Sequence, residues 1–355
     1  MSGAILYGFM NLKDVFSQRV EDVGVPVVNA AIDETVTEHN RQLNSLMSLF
    51  VDGTTQYKLR YKTPGAASLQ PLDENGRARP IKVAGYYDIA FPLQMGGIAW
   101  GQTYYASKKM TVEDANNTMA TLTSADKRWL RDRILSALFT NVNYTFADPE
   151  HGDLTIKPLA NGDTDTYLIS AGTDAGTTDT HYLAQAGAIL DASDPFPAIY
   201  TELSEHAENS GDVVVFVPTS NKAATEALAG FYPMGDPNLT TGSATTVVSG
   251  SLNVPIPGTI FGYHEAGVWL AEWKALPANY LIGTMTGGPR PIGMREEQET
   301  SLRGFNRVAE RNDYPFYESQ YLRVAGFGAQ NRVGAVVQLV GSGSYSIPVN
   351  YQAPI

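Results

Sequence analysis

The chain has 355 residues, 43% of them hydrophobic and 17% charged, enough to bury a sizeable core and more than one small domain usually holds. Acidic residues number 37 against 25 basic ones, a formal charge of −12, so tight binding of nucleic acid over most of the surface is not expected, because phosphate contacts need lysine and arginine. There is no cysteine, which removes disulfides, thiolate nucleophiles and cysteine-ligated zinc from consideration.

The opening residues, MSGAILYGFMNLKD, carry no basic residue ahead of their short apolar run, and nowhere do 18 apolar residues stand together. A soluble cytoplasmic product of two lobes, with no membrane partner, is the expectation. From Val28 to Phe50, the apolar positions Val28, Ile32, Val36, Leu43, Met47 and Phe50 have the spacing of one helix face. Gly24 to Pro26 breaks the chain before that helix, and Asp52-Gly53 is expected to stop it.

Gln56 to Lys62 alternates with period two, so a strand here places Tyr57, Leu59 and Tyr61 on one face and Lys58, Arg60 and Lys62 on the other. Alternation resumes at Ile81, Val83, Gly85, Tyr87, Ile89, Phe91 and Leu93, after a loop rich in Pro, Gly and Asn. The two runs predict a long basic hairpin, with Lys58, Arg60, Lys62, Arg77, Arg79 and Lys82 against Asp73, Glu74 and Asp88. A loop this long between paired strands is usually functional or disordered.

Thr111 opens a capping-box-like start with Asp114, and apolar residues follow at Val112, Ala115, Met119, Leu122, Trp129, Leu130, Ile134, Leu138 and Phe139. This predicts one helix of roughly 29 residues and about 43 Å, with a kink near Thr123-Ser124 and a core face formed by Met119, Leu122, Trp129, Ile134 and Leu138. Asp126 alone is off-pattern in its middle.

Between Asn141 and Thr240 stand fifteen acidic residues against Lys157 and Lys222, about the whole charge excess of the chain. A basic arm on an acidic body suggests self-association. Short strands are read at Leu154 to Ile156 and Tyr167 to Ile169, helices around His181 to Leu190 and Pro195 to Asn209, a buried strand at Val213 to Val217, and a helix from Thr219 or Ser220. Phe231 to Gly258 reads as a surface loop with one short strand, Thr245 to Val248. Strands follow at Thr259 to Tyr263, Val268 to Ala271 and Asn279 to Met285, and then two around an Asn-Arg turn, Tyr321 to Gly328 and Arg332 to Val340, before a tail without periodicity.

Catalytic signatures are missing. His39, His151, His181, His206 and His264 show no metal-binding spacing, and His39 and His206 read as polar helix histidines. There is no G-x-S-x-G elbow and no Gly-Lys dipeptide, and Gly326-Phe-Gly328 breaks the dinucleotide fingerprint at its third glycine. Asp148 to Asp153 and Asn161 to Asp165 have calcium-loop character without a closing glutamate, and are better read as acidic surface loops. No cofactor, metal or catalytic residue is assigned.

The order of parts (helical arm, basic hairpin, long helix, α/β lobe, return strands) resembles the HK97-like major capsid proteins of tailed double-stranded DNA bacteriophages. Ile98 to Gly101, Lys127 to Leu138, Ala275 to Thr284, and Tyr321 to Val324 with Gln330 to Val337 are similar to segments of a siphophage group, and the resemblance spans roughly Val28 to Leu339. It implies an α+β fold with an N-arm (1–52), an E-loop (53–99), a P-domain whose first part carries the spine helix (100–178), an α/β A-domain (179–310), P-domain return strands (311–341) and a tail (342–355). It implies a non-enzymatic shell protein of the virion, assembled in the host cytoplasm into hexamers and pentamers. The implied partners are further copies of the chain, a separate scaffolding protein (the chain lacks the roughly hundred extra residues of fused-scaffold members), a portal, a decoration protein, and packaged DNA held by weak non-specific contact. Tyr57, Lys58, Leu59, Arg60, Tyr61, Lys62, Arg77, Arg79 and Lys82 would touch the neighbouring subunit, and deleting Gln56 to Leu93 is expected to leave a soluble subunit that closes no shell. Some members join a hairpin lysine to a neighbour's asparagine; Lys58, Lys62 and Lys82 are the hairpin lysines here, but no matching motif accompanies them and none is assigned that role. Two other readings are an encapsulin-like compartment shell, usually shorter and without insertions such as Asn161 to Asp179 and Phe231 to Gly258, and a soluble carbohydrate-active or carbohydrate-binding protein using the acidic loops.

Overall fold

The computed structural model describes residues 8–62, 71–77, 86–167, 169, 177–234 and 256–355. After a 3-10 turn at Gly8–Val15 and one helical turn, α1 (Val20–Val23), Gly24 turns the chain at φ 106, a conformation open to glycine. Helix α2 (Val25–Met47) follows, and Val28, Ile32, Val36, Leu43 and Met47 are all buried, as their spacing predicted. It ends earlier than expected. Asp52-Gly53 lies within β1 (Val51–Thr54), a strand held by parallel pairing further along the chain, so tertiary hydrogen bonds override the stop signal.

The hairpin forms as β2 (Lys58–Lys62) and β3 (Tyr86–Ala90), antiparallel with Leu59 opposite Ile89 and Tyr61 opposite Tyr87. The side chain of Lys62, all of Arg79 and Lys82, and the expected alternation at 81–85 lie outside the described residues. The alternation does not run on through Leu93. Phe91 to Leu93 leaves the ribbon, and β4 (Gln94–Thr103) joins a different sheet. A further helical turn, α3 (Tyr104–Ser107), leads to α4 (Val112–Phe139), whose capping box is complete: the Thr111 hydroxyl accepts from the Asp114 amide, and the Asp114 carboxylate accepts from the Thr111 amide. At 28 residues α4 is about 42 Å long, and it is uninterrupted at Thr123-Ser124.

Then come the hairpin β5 (Tyr144–Asp148) and β6 (Gly152–Ile156), β7 (Tyr182–Gln185), α5 (Phe196–Ser204), β8 (Ser210–Val217), α6 (Thr219–Glu226), β9 (Phe231–Pro233), β10 (Thr259–His264), β11 (Val268–Glu272) and β12 (Tyr280–Gly287). The chain closes with β13 (Ile292–Glu296), β14 (Phe305–Asp313), β15 (Phe316–Ala329) and β16 (Ala335–Val340). Three expectations are corrected here. The segment from His181 is strand β7, paired in parallel with β16; the helix before β8 is shorter, ending at Ser204 with Glu205 as its C-cap; and Tyr167 makes only an isolated bridge with Thr177. The strand expected at Thr245 to Val248 lies outside the described residues.

One sheet has the order β1-β13-β15-β14, with β4 on the free side of part of β15; the other has the order β7-β16-β12-β8-β11-β10-β9. The expected division at 310/311 does not coincide with a change of sheet. Strands β13 and β14 pair with β15, whereas β16 crosses to the seven-stranded sheet. The two sheets also share one core. Leu130, Leu135, Leu138 and Phe139 of α4 meet Phe216, Ala271 and Ile282 from one sheet and Ile292, Met294 and Phe327 from the other, each such buried side chain contributing roughly 1.5–3 kcal/mol. Helix α4 therefore joins the lobes. Of its expected core face, Met119, Leu122, Ile134 and Leu138 are buried, but Trp129 is only half-buried, with the Arg133 guanidinium 4.5 Å over its ring. No helix among the described residues is long and apolar enough to cross a membrane.

Candidate functional site: the ribbon and its anchorage

Of the residues expected to act, Lys58, Leu59, Arg60 and Tyr61 lie at the foot of the β2–β3 ribbon, with Tyr57 just before it. Cross-strand pairing puts Leu59, Tyr61, Tyr87 and Ile89 on one face, with Tyr61 and Tyr87 stacked at 5.1 Å between ring centroids. That face rests on its own subunit. Tyr87, Ile89 and Phe91 are buried with Ala160, Tyr167 and Val333, and Leu59 and Tyr61 pack against this cluster. The other face is covered at its base, where Ala90 meets Leu154 and Ile156 of the β5–β6 hairpin. Tyr57 stacks on His151 at 3.8 Å.

The expectation that the ribbon's apolar side needs another molecule is thus corrected for its foot, because Leu59, Tyr61, Tyr87 and Ile89 pack within the chain. The basic face also finds an acid nearby. Arg60 donates to both Asp88 oxygens, at 2.8 and 3.2 Å, and Lys58 approaches Asp88 at 3.5 Å. Arg60 also lies 4.3 Å over the Tyr86 ring. Beyond the foot, 71–77 forms a turn in which Asp73 Oδ1 accepts from the amides of Asn75 and Arg77. Every residue of this turn is exposed, including Arg77 and, at 62%, the apolar Leu72.

Polar groups bolt the foot down. The Tyr61 hydroxyl donates to Glu208 Oε2 at 3.1 Å; burial, with Glu208 beside it, pushes this hydroxyl's pKa up, so it stays a donor. The Arg332 backbone amide donates to the Tyr87 hydroxyl, which donates to the Gln330 carbonyl. The Arg332 side chain is wholly buried and donates to the carbonyls of Pro158 and Leu159, to Asn161, and to Asp163 and Asp165. Asp148 meets the buried Arg295 at 2.6 Å, and Arg295 also donates to the Phe91 carbonyl. The carboxylates that gave 148–153 and 161–165 their calcium-loop character are thus largely engaged by arginine. Lys157 also reaches Asp165.

A second polar hub joins both long helices to the sheet. Asp126, off-pattern on α4, accepts from Arg323 of β15 at 2.5 and 2.7 Å and lies 2.7 Å from His39 Nε2 of α2. Asn40 accepts from Arg323 and from the Phe305 amide. Sequence reading missed this hub, because its members are far apart in the chain. The histidines also differ from their reading: His39 stands on α2 as expected but is buried, and His206 is buried just past the end of α5, where it meets His181 and Asp179. Burial, with Asp179 beside it, pushes the Glu202 carboxyl up to about 8.

No family model matches the chain, and no curated protein matches it. Solved structures do. One titled "Mycobacterium phage Patience" superimposes with a TM-score of 0.68 at 19% identity, covering 91% of this chain and 90% of that one. The capsid of a native GTA particle follows at TM-score 0.48 and 11% identity, covering 84% and 90%, and the cyanophage Pam1 capsid at 0.46 and 13%, covering 85% and 90%. The chain shares the α+β fold of the phage Patience structure. Its helical arm, ribbon, long helix and two-sheet body stand in the order read from the sequence.

Proposed function

We propose that the chain is the major capsid protein of a tailed double-stranded DNA bacteriophage, self-assembling as hexamers and pentamers into an icosahedral head. The observation that carries this reading is the fold shared with the phage Patience chain over nine-tenths of both molecules. The role is structural rather than catalytic, located in the virion after assembly in the host cytoplasm, with a separate scaffolding protein, a portal and a decoration protein as partners. Packaged DNA would touch the acidic chain only weakly.

In this reading 1–52 is the N-arm, 53–99 the E-loop, 100–178 and 311–341 the P-domain, 179–310 the A-domain and 342–355 the tail. Intersubunit contact belongs to the outer ribbon, including Arg77, Arg79 and Lys82, more than to its foot at Leu59 and Tyr61, whose apolar side is already covered. Tyr57, Lys58, Arg60 and Lys62 remain at its margin, where charges mainly set register and encounter. Repeated head-to-tail contacts of this kind close rings and then shells. Sedimentation of the chain co-expressed with its scaffold tests the reading: megadalton particles support it, and a stable monomer of 38.4 kDa that binds glycan overturns it.

A further inference from the structure

Two histidines and an aspartate converge beneath the ribbon foot. His181 Nε2 and His206 Nε2 are 3.1 Å apart, and Asp179 Oδ2 lies 3.1 Å from the first and 2.9 Å from the second. Both rings are buried, at 0% and 1% exposure. His181 Nδ1 faces the Ala335 carbonyl at 2.8 Å, and because a carbonyl can only accept, that nitrogen carries a proton, so in the neutral ring Nε2 presents its lone pair. This Nε2 and the Asp179 carboxylate therefore face each other at 3.1 Å, a contact that either a proton on the ring or a metal ion among the three groups satisfies. Asp179 Oδ1 accepts from the Thr180 amide, leaving Oδ2 for the site.

We propose that Asp179, His181 and His206 form a structural zinc site, closed by a fourth oxygen from Glu205. A tetrahedron with metal–ligand bonds of about 2.0 Å has donor–donor edges of about 3.3 Å, so the three observed edges need open by only a few tenths of an ångström. Calcium, with bonds of about 2.3–2.6 Å and more ligands, needs a wider cage. Glu205 Oε1 lies 3.7 Å from His206 Nε2, and the carboxylates of Glu202 and Glu205 come within 4.8 Å of that of Asp179. The Ala335 carbonyl orients the His181 ring from behind, as acceptors on the far nitrogen of zinc-bound histidines do.

The backbone is also pre-set. The His181 amide donates to the Ala160 carbonyl, the Gly162 amide to that of Asp179, and the Val337 amide to that of His181. The ion would clip the end of α5 to the start of β7, two residues from Glu208, which receives the ribbon's Tyr61. Its purpose there is to stiffen the platform on which the ribbon stands. The site is independent of the shell reading.

The test uses the full-length unassembled subunit, stripped with a chelator and titrated with zinc chloride against a chromophoric competitor, alongside cobalt substitution followed by absorption. One zinc per chain, tetrahedral cobalt bands, and at least a hundredfold weaker zinc binding in His206→Gln are expected. No binding below millimolar zinc, six-coordinate cobalt spectra, or stoichiometric binding unchanged in His206→Gln overturns the site and leaves a proton shared among the three groups. Should His206→Gln fail to fold, the wild-type stoichiometry and cobalt spectrum decide between the same outcomes.

Discussion

Removing the Asp126 carboxylate should cost far more than a helix-surface change. In Asp126→Ala, the Arg323 guanidinium, only 4% exposed, loses both of its short carboxylate contacts, and His39 loses its partner. Breaking a buried pair by deleting one member costs about 3–5 kcal/mol, because the remaining charge stays buried without compensation. Replacing both with apolar residues of similar volume is often neutral, so Asp126→Leu combined with Arg323→Met should recover most of that loss. Urea unfolding of the unassembled subunit, followed by near-ultraviolet circular dichroism, measures the single and double changes as a double-mutant cycle. A loss under about 1 kcal/mol for Asp126→Ala, or a double variant that costs the sum of its parts, would refute the reasoning. The same hub sets an acid limit. Burial works to raise the Asp126 pKa, but its hydrogen bonds to His39 and Arg323 prevail and lower it. A depressed carboxyl contributes stability that is full above its unfolded pKa of about 3.9 and is lost as pH falls through the lower folded value. Asp126→Asn should therefore show a flatter stability profile than the parent below about pH 4.

Gly326 of β15 lies under the crossing from ribbon to sheet, where an added Cβ would sit 1.7 Å from the Pro92 carbonyl oxygen. Gly326→Val should lose at least about 3 kcal/mol or accumulate as insoluble chain, and soluble, normally stable subunit would contradict that crossing. Arg332→Met leaves the Asp163 and Asp165 carboxylates without their shared guanidinium, and a loss of about 3–5 kcal/mol should appear in thermal unfolding. Deleting Gln56 to Leu93 is no longer a clean test of the ribbon, because Tyr87, Ile89 and Phe91 are 2%, 1% and 0% exposed and form core. Replacing 63–85 with a short glycine linker keeps that core. It should leave the unfolding midpoint of the subunit nearly unchanged while abolishing closed particles in electron micrographs.

The parts of the fold legible in the sequence are those governed by near neighbours. The capping box at Thr111, the buried face of α2 and the cross-strand pairing of Leu59 and Tyr61 all depend on residues a few positions apart or on simple alternation. Strand β7 was not legible. Its Leu, Ala and Gln favour a helix locally, but pairing with β16, about 155 positions later, decides its state. Asp126 looked like a flaw in the helix face because Arg323 and His39 come from distant segments. The two lobes likewise merged, since a hydrophobic pattern marks which face is buried but not that α4 serves two sheets at once. The histidine pair stayed hidden because spacing rules seek ligands on one helix, whereas His181 and His206 are joined by the folding of a loop onto the end of α5.

The shell reading is tested most directly by where the turn at 71–77 lies once copies assemble. A cryo-electron-microscopic reconstruction of particles formed by this chain should place residues 71–77, with Leu72 inward, across the body of an adjacent subunit. Particles in which that turn lies against its own subunit and touches no neighbour would contradict the account.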